Sequence, residues 1–421
     1  MTTLYWEGRA DTVAQVATAE FGTYDATTTR TITIGGVAVD KLDTGGTLTA
    51  ALSAFATTLN ASTHPYFAAI TWTSSATKIT GTADTAGVPF VFVGSVTGGT
   101  GTLVDGYTVT TASAGPNDWS TAANWDTGAI PVNSDDVIIQ DSDVNIMWGL
   151  DQNGVSLTSL TIKKTFTGKI GLDYTQFATS ADGETFSATE KPEYRQGYLK
   201  IISTTVNIGE HFGPSSPAGS GRIRLDLHTT ASTCTIHGSA GSPTDTGRGA
   251  VQVLANNSST DIFVRNCPGG LDVAMGVPGE TSTVRKVSVG SDAGASPVRI
   301  GKGTTITTYE QFSGTGSLNA AATVTTVTCD GGELTTEGSY VVTTGNSNGG
   351  TIYANHISGT VSFTTLNISG GTVNARRSTQ ARTWTTVNFK DGTLEADSTV
   401  LTITALNEGD SGIYSMSISR L

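Results

Sequence analysis

From Ile306 to Asp397 the chain writes one phrase five times: a large apolar residue, two threonines and, in most copies, another apolar residue. The copies are Ile306-Thr307-Thr308-Tyr309, Val324-Thr325-Thr326-Val327, Val342-Thr343-Thr344, Phe363-Thr364-Thr365-Leu366 and Trp384-Thr385-Thr386-Val387. Each is followed by a glycine turn and a returning apolar residue, as in Gly349-Gly350 before Ile352 and Gly370-Gly371 before Val373. The pairs begin at positions 307, 325, 343, 364 and 385, so the spacing is regular and widens slightly toward the C-terminus. A period near 20 with two short strands and glycine corners predicts a β-solenoid. Leucine-rich repeats share the period, but their Leu/Asn pattern is absent. The fold class expected is mainly β: a small α+β N-terminal domain followed by a parallel β-helix of the right-handed type over residues 151–405. Strict alternation along a strand would turn one threonine of each pair inward. An ice-binding face would need Thr-x-Thr ladders, so the threonines read as structural.

Composition narrows the function classes. Only 14% of residues are charged and Gly occurs 51 times, an all-β bias. A net charge of −13 leaves no basic stripe to displace counterions, which argues against nucleic acid as a partner. No apolar run approaches membrane-spanning length. The N-terminus lacks the charged and apolar regions of a signal peptide, so synthesis in a cytoplasm is expected. Cys234, Cys267 and Cys329 show no CxxC spacing and read as small buried residues.

Residues 1–112 do not follow the solenoid period. Thr31–Val39 reads as a hairpin across Gly35-Gly36. Leu48, Leu52, Phe55 and Leu59 form one apolar stripe, predicting a helix over 47–60, capped by Thr44 or Thr47 and stopped by His64-Pro65. Strands are expected at 68–73, 78–83 and 90–93, giving a helix packed on an antiparallel sheet. The order strand, Gly-Gly turn, strand, Leu-Thr-Ala-Ala-Leu helix, with Ala10-Asp11-Thr12-Val13-Ala14-Gln15-Val16 before it and Ala83-Asp84-Thr85-Ala86-Gly87-Val88-Pro89-Phe90 after it, resembles a small domain that recurs in tailed-phage structural proteins. The resemblance covers about a quarter of the chain and carries no catalytic residues; it implies a virion context.

Residues 113–150 read as a linker and an entry cap with Trp119, Trp125 and Trp148. The first coil of a solenoid would otherwise expose an apolar end and a bare strand edge. The functional alternative is an aromatic platform for sugar stacking. Two passages interrupt the strand rhythm: 173–195, with Tyr174, Phe177, Phe186, Glu190, Lys191, Glu193 and Tyr194, and 211–221, with His211 and Phe212. Insertions of this kind map to loops on one face of a solenoid and often make its contacts. Residues 406–421 lose the threonine phrase and read as a C-terminal cap or an exchanged strand.

Chemical motifs are sparse. A glycosidase needs carboxylates gathered on one face. Asp226, Asp261, Asp272, Asp330 with Glu333, and Glu395 with Asp397 show no repeat at coil spacing. No HExxH or His-x-His spacing supports a metal site. Gly345-Asn346-Ser347-Asn348-Gly349 matches GxSxG, but a strand, not a helix, follows it. No catalytic residue, cofactor or metal is expected. The resemblance implies a virion protein that forms a homotrimer; with no carboxylate constellation, no aromatic row along the coils and a modest rod length, the expected role is that of a non-enzymatic capsid decoration or cement protein that binds the major capsid protein or other virion proteins. The alternative is a tailspike or tail fibre that binds, or cleaves, host polysaccharide. A bacterial adhesin is disfavoured by the missing signal peptide.

Overall fold

The computed structural model describes residues 2–172, 197–209, 221–237, 249–275, 279–290, 296–354, 359–376, 378–409 and 415–418. The protein is mainly β, with one large sheet of parallel pairings and two small antiparallel sheets.

The threonine phrase sets the register of the large sheet. Thr308 pairs with Thr326, Thr326 with Thr344, Thr344 with Thr365 and Thr365 with Thr386. These partners keep the spacing of the sequence repeat. The returning apolar residues pair likewise, Leu334 with Ile352, Ile352 with Val373 and Val373 with Leu394. The segments therefore fall into two columns. The first runs from Asp136–Ile139 through Asp151–Ile162, Leu199–Ile208, Thr233–Ile236 and Asp261–Val264 to Leu401–Glu408. Ser415–Ile418 pairs with the chain's own 393–396 and continues the second column. The side chains turned in along this length form one continuous apolar core.

One sequence expectation is corrected here. Both threonines of each pair point outward: Val324 and Val327 are buried while Thr325 is exposed and Thr326 half-buried, and 363–366 and 384–387 repeat this. The first threonine drops out of the ladder, because the register steps from Val324↔Val342 to Thr326↔Thr344 and from Trp384↔Ile403 to Thr386↔Ala405. Alternation fails where the strand bends, so the pair marks a corner.

The glycine turns stack as the strands do. Gly350 and Gly371 have φ of 64° and 70°. A Cβ on Gly371 would meet the carbonyl of Gly350, and one on Gly350 that of Gly332. Each turn needs glycine both for its left-handed backbone and for the close approach of its neighbour.

The small N-terminal sheets are antiparallel. One has the order Ile70–Ser74, Lys78–Ala83, Val16–Phe21, Leu103–Thr111; the other Val37–Leu42, Thr29–Ile34, Val93–Thr97. The helix runs Leu48–Asn60, capped by Thr47, whose side chain accepts from the Ala50 N–H at 3.2 Å. It buries Leu52, Phe55, Ala56 and Leu59 against the sheet strands. His64 does more than follow a stop: it caps a one-turn helix, Pro65–Ala68, and the strand foreseen at 68–73 starts at Ile70. Arg30 and Asp43 form a fully buried two-pronged pair at 2.7 Å, with Phe21 beneath the guanidinium.

The first strand, Thr3–Trp6, lies elsewhere. It pairs in parallel with Asp136–Ile139 and so extends the large sheet by one strand at its lower end. Residues 7–115 leave that strand, build the small sheets and return.

Candidate functional site

The outer edge of Thr3–Trp6 is covered by 124–126. The Tyr5 N–H donates to Asp126 Oδ1 at 2.8 Å, the Asp126 N–H to Tyr5 O at 3.1 Å, and the Glu7 N–H to Asn124 O at 2.7 Å. Behind this edge Trp125 packs edge-to-face between Trp6, at 5.2 Å and 77°, and Trp119, at 4.7 Å and 74°. The Trp125 indole N–H donates to Trp119 O at 2.9 Å. Trp148 is buried beside them, its carbonyl accepting from the Trp119 N–H at 3.0 Å. All three tryptophans named from the sequence are buried, so none offers a ring face to a sugar. Trp6 completes the cluster. Nothing in the sequence singled it out, because its partner strand lies far along the chain, beyond the small sheets.

Asn124 ties the small sheets to this end. It is fully buried and uses its whole side chain: Oδ1 accepts from the Ala10 N–H at 2.8 Å, and Nδ2 donates to Gly115 O at 2.8 Å and Asp118 O at 2.7 Å. Val13 and Ala114 pair across the same neck, with the Val13 N–H donating to Ala114 O at 2.8 Å. A cleft of about 320 Å³ opens between the two parts, lined by Gln15, Ser113, Asp118, Ser120 and Asp151 among others. Burial pushes the Asp118 carboxyl up, and a hydrogen bond from the Ser120 N–H at 2.8 Å opposes it.

The contact loops named from the sequence lie outside the described residues. This covers Tyr174, Phe177, Phe186, Glu190, Lys191, Glu193, Tyr194, His211 and Phe212. Beside them, Arg222 and Arg224 are fully buried, and Arg224 donates to Leu172 O at 2.8 Å and lies over the Tyr198 ring at 5.7 Å.

The candidate carboxylates are distributed: Glu333 is exposed, and the others each have a partner of their own. Asp226 accepts from the His228 N–H at 2.9 Å. Asp261 is gripped by Arg285 and Asp272 by Arg299, the latter through two bonds at 2.7 and 2.8 Å. Asp330 holds the Asn348 amide at 2.6 Å and Glu395 the Asn374 amide at 2.6 Å. Asp397 accepts from the Thr399 N–H and hydroxyl, which hold its carboxyl below the usual range. Ser347, centre of the GxSxG match, is fully buried and donates to Gly370 O at 3.0 Å. Among the described residues no three His, Cys, Asp or Glu side chains gather as metal ligands. The three cysteines are buried and free.

One groove remains. It has a volume of about 590 Å³ and crosses successive turns, lined by Ala274, Met275, Glu280, Lys302, Asn319 and Glu337 among others. A second hollow of about 500 Å³ continues it past Lys302, Asn319 and Glu337 to Ser339 and Gly359. Nothing in the sequence points to it, since its walls come from strands and turns of successive repeats, Lys302 on Pro297–Gln311 and Asn319 on Thr315–Ala320 among them. Comparison with protein-family models, with curated proteins and with solved structures returns no match to this chain.

Proposed function

We propose that this chain is a non-enzymatic structural protein of a tailed-phage virion, and that it decorates and stabilises the assembled capsid shell. In this reading the two columns of parallel strands are the faces of a β-solenoid of the right-handed type. The observation that carries it is the long succession of parallel pairings between repeats, closed at one end by buried tryptophans and joined there to a compact domain through a hydrogen-bonded neck. Such a body has no interior left for chemistry and resists bending, because each strand is bonded to the next repeat along its length. The candidate carboxylates other than Glu333 are held by arginines, amides and turn N–H groups, which supports a structural role. The phage context rests on the resemblance of residues 10–90. Binding would bridge neighbouring capsid subunits.

A second reading, a tailspike or tail fibre that binds host polysaccharide, has the groove around Lys302 and Glu337 in its favour. Copy number separates the two. Quantitative mass spectrometry of purified particles, scaled to the major capsid protein, should give hundreds of copies for a decoration protein. A few dozen or fewer would move it to the tail, and absence from the particle would sink both readings.

A further inference from the structure

The corner made by the threonine pairs differs from the other outward columns of the same repeats. Along its first side, from Val324–Cys329 to Leu401–Glu408, the outward residues form a column of threonines from Thr326 to Thr386 and a column of amides from Asn346 to Asn407. The exposed first threonines, from Thr325 to Thr404, cover the edge. On the other side Val341, Ser362, Thr383 and Thr402 point out, and Val341 is 40% exposed. Among the described residues no acid or base stands in any of these columns.

The contrast with the remainder is sharp. The chain carries a net charge of −13. In these same repeats Asp330, Glu333, Glu337, Lys390, Asp391, Glu395 and Asp397 lie in other columns or turns, and exposed Glu408 ends the topmost strand in the column of Phe389. Just below, the two columns change character: Lys286 and Glu310 occupy them as an ion pair at 2.6 Å. The uncharged corner therefore begins at Thr326 and runs up to Asn407, with Glu408 at its rim.

The amide column is also fixed in place. Asn367 donates to Asn346 at 2.9 Å, Asn388 to Asn367 at 2.8 Å, and Asn407 to Asn388 at 2.8 Å, while Asn346 donates to Thr328 Oγ1 at 3.3 Å. Side chains already held in one rotamer lose little entropy when a partner covers them. Five strands at about 4.8 Å give a height on the order of 20 Å on each side of the corner.

We propose that this corner is where a second copy of the same chain docks. Two polyanions approach each other most cheaply where neither presents charge. The corner has two unlike sides, one with the threonine and amide columns and the other with Val341, Ser362, Thr383 and Thr402, so one side of a copy meets the other side of the next. A heterologous contact of that kind closes into a ring when its rotation allows, consistent with the expected homotrimer. The inference rests on the stacked register of the strands and not on the virion role.

The test is sedimentation equilibrium of the full chain with two paired variants. Thr364→Glu with Thr385→Glu places acids on the corner; Thr351→Glu with Thr372→Glu places them in the other column of strands. The wild type and the second pair should sediment at a multiple of 43.2 kDa, and the corner pair at 43.2 kDa with unchanged melting temperature. A wild type that stays monomeric, a corner pair that stays assembled, or equal dissociation of both pairs would overturn the proposal. A monomer whose binding to particles is lost in the corner pair would overturn it too, and would assign the corner to the shell. Absence of the protein from particles would leave the oligomer standing.

Discussion

Asn124 Oδ1 accepts the Ala10 N–H at 2.8 Å, joining positions 114 apart in the chain. The same side chain holds Gly115 O, so one buried amide grips both the outgoing and the returning strand of the small sheets. Replacing it with alanine leaves the Ala10 N–H without its acceptor and takes one of two donors from each of the Gly115 and Asp118 carbonyls, which keep the Asp118 and Thr121 N–H groups at 3.2 Å. Asn124→Ala should cost about 3 kcal/mol, read by urea unfolding. The Ala10 amide should lose hydrogen-exchange protection before the helix Leu48–Asn60 does. Equal protection at Ala10 in both proteins would contradict this role.

Gly371 is required twice, by its φ of 70° and by the Gly350 carbonyl beneath it. Gly371→Ala should destabilise by about 2 kcal/mol or more, since left-handed backbone alone costs about 1–2 kcal/mol for alanine. Gly154→Ala is the control, because a Cβ there meets nothing within 4 Å. Thermal melts of the two variants check the difference.

The period and the register were legible in the sequence because inward residues, threonine pairs and glycine turns repeat together. What the pairs do was not. Val324-Thr325-Thr326-Val327 reads as alternation slipped by one, and only the bend in the strand shows that both threonines face out. The strands Thr3–Trp6 and Val16–Phe21 went unseen for another reason. The first is placed by a partner distant in the chain, as Thr3↔Asp136, and the second carries two alanines and a glutamate that favour no strand by themselves. Asn124 gives no local signal at all, since its partners come from both ends of a long excursion of the chain.

Burial pushes the Cys234 and Cys267 thiols up to about 12 and Cys329 up to about 11. All three stay protonated at neutral pH and lie inside the core. A chromogenic disulfide reagent at pH 8 should find no reactive thiol in the native protein and three after unfolding in guanidinium. Prompt native reaction would place a cysteine at the surface.

Asp118 carries its charge in a buried cleft, so its carboxyl is raised above the ordinary value. For a raised acid, the favourable contribution is complete below the unfolded value and is lost as pH rises through the folded one. Asp118→Asn keeps the acceptor for Ser120 and removes the charge. Its melting temperature should exceed the wild type's by a few degrees at pH 7, and the gap should close below about pH 4, near the ordinary carboxyl value. A gap independent of pH would show that the carboxylate is not strained by burial.

Both proposals, the shell-binding role and the corner interface, require the parallel register of the repeats, and cross-linking measures it directly. Asn367 and Asn388 are register partners, and neighbouring strands lie about 4.8 Å apart, within reach of a disulfide. Asn367→Cys with Asn388→Cys, oxidised mildly and weighed intact, should lose two hydrogens in nearly every molecule. Asn367→Cys with Thr393→Cys, which sits in the other column beside Thr372, should not. Failure of the first pair to close, or equal closure of both, would contradict the stacked arrangement.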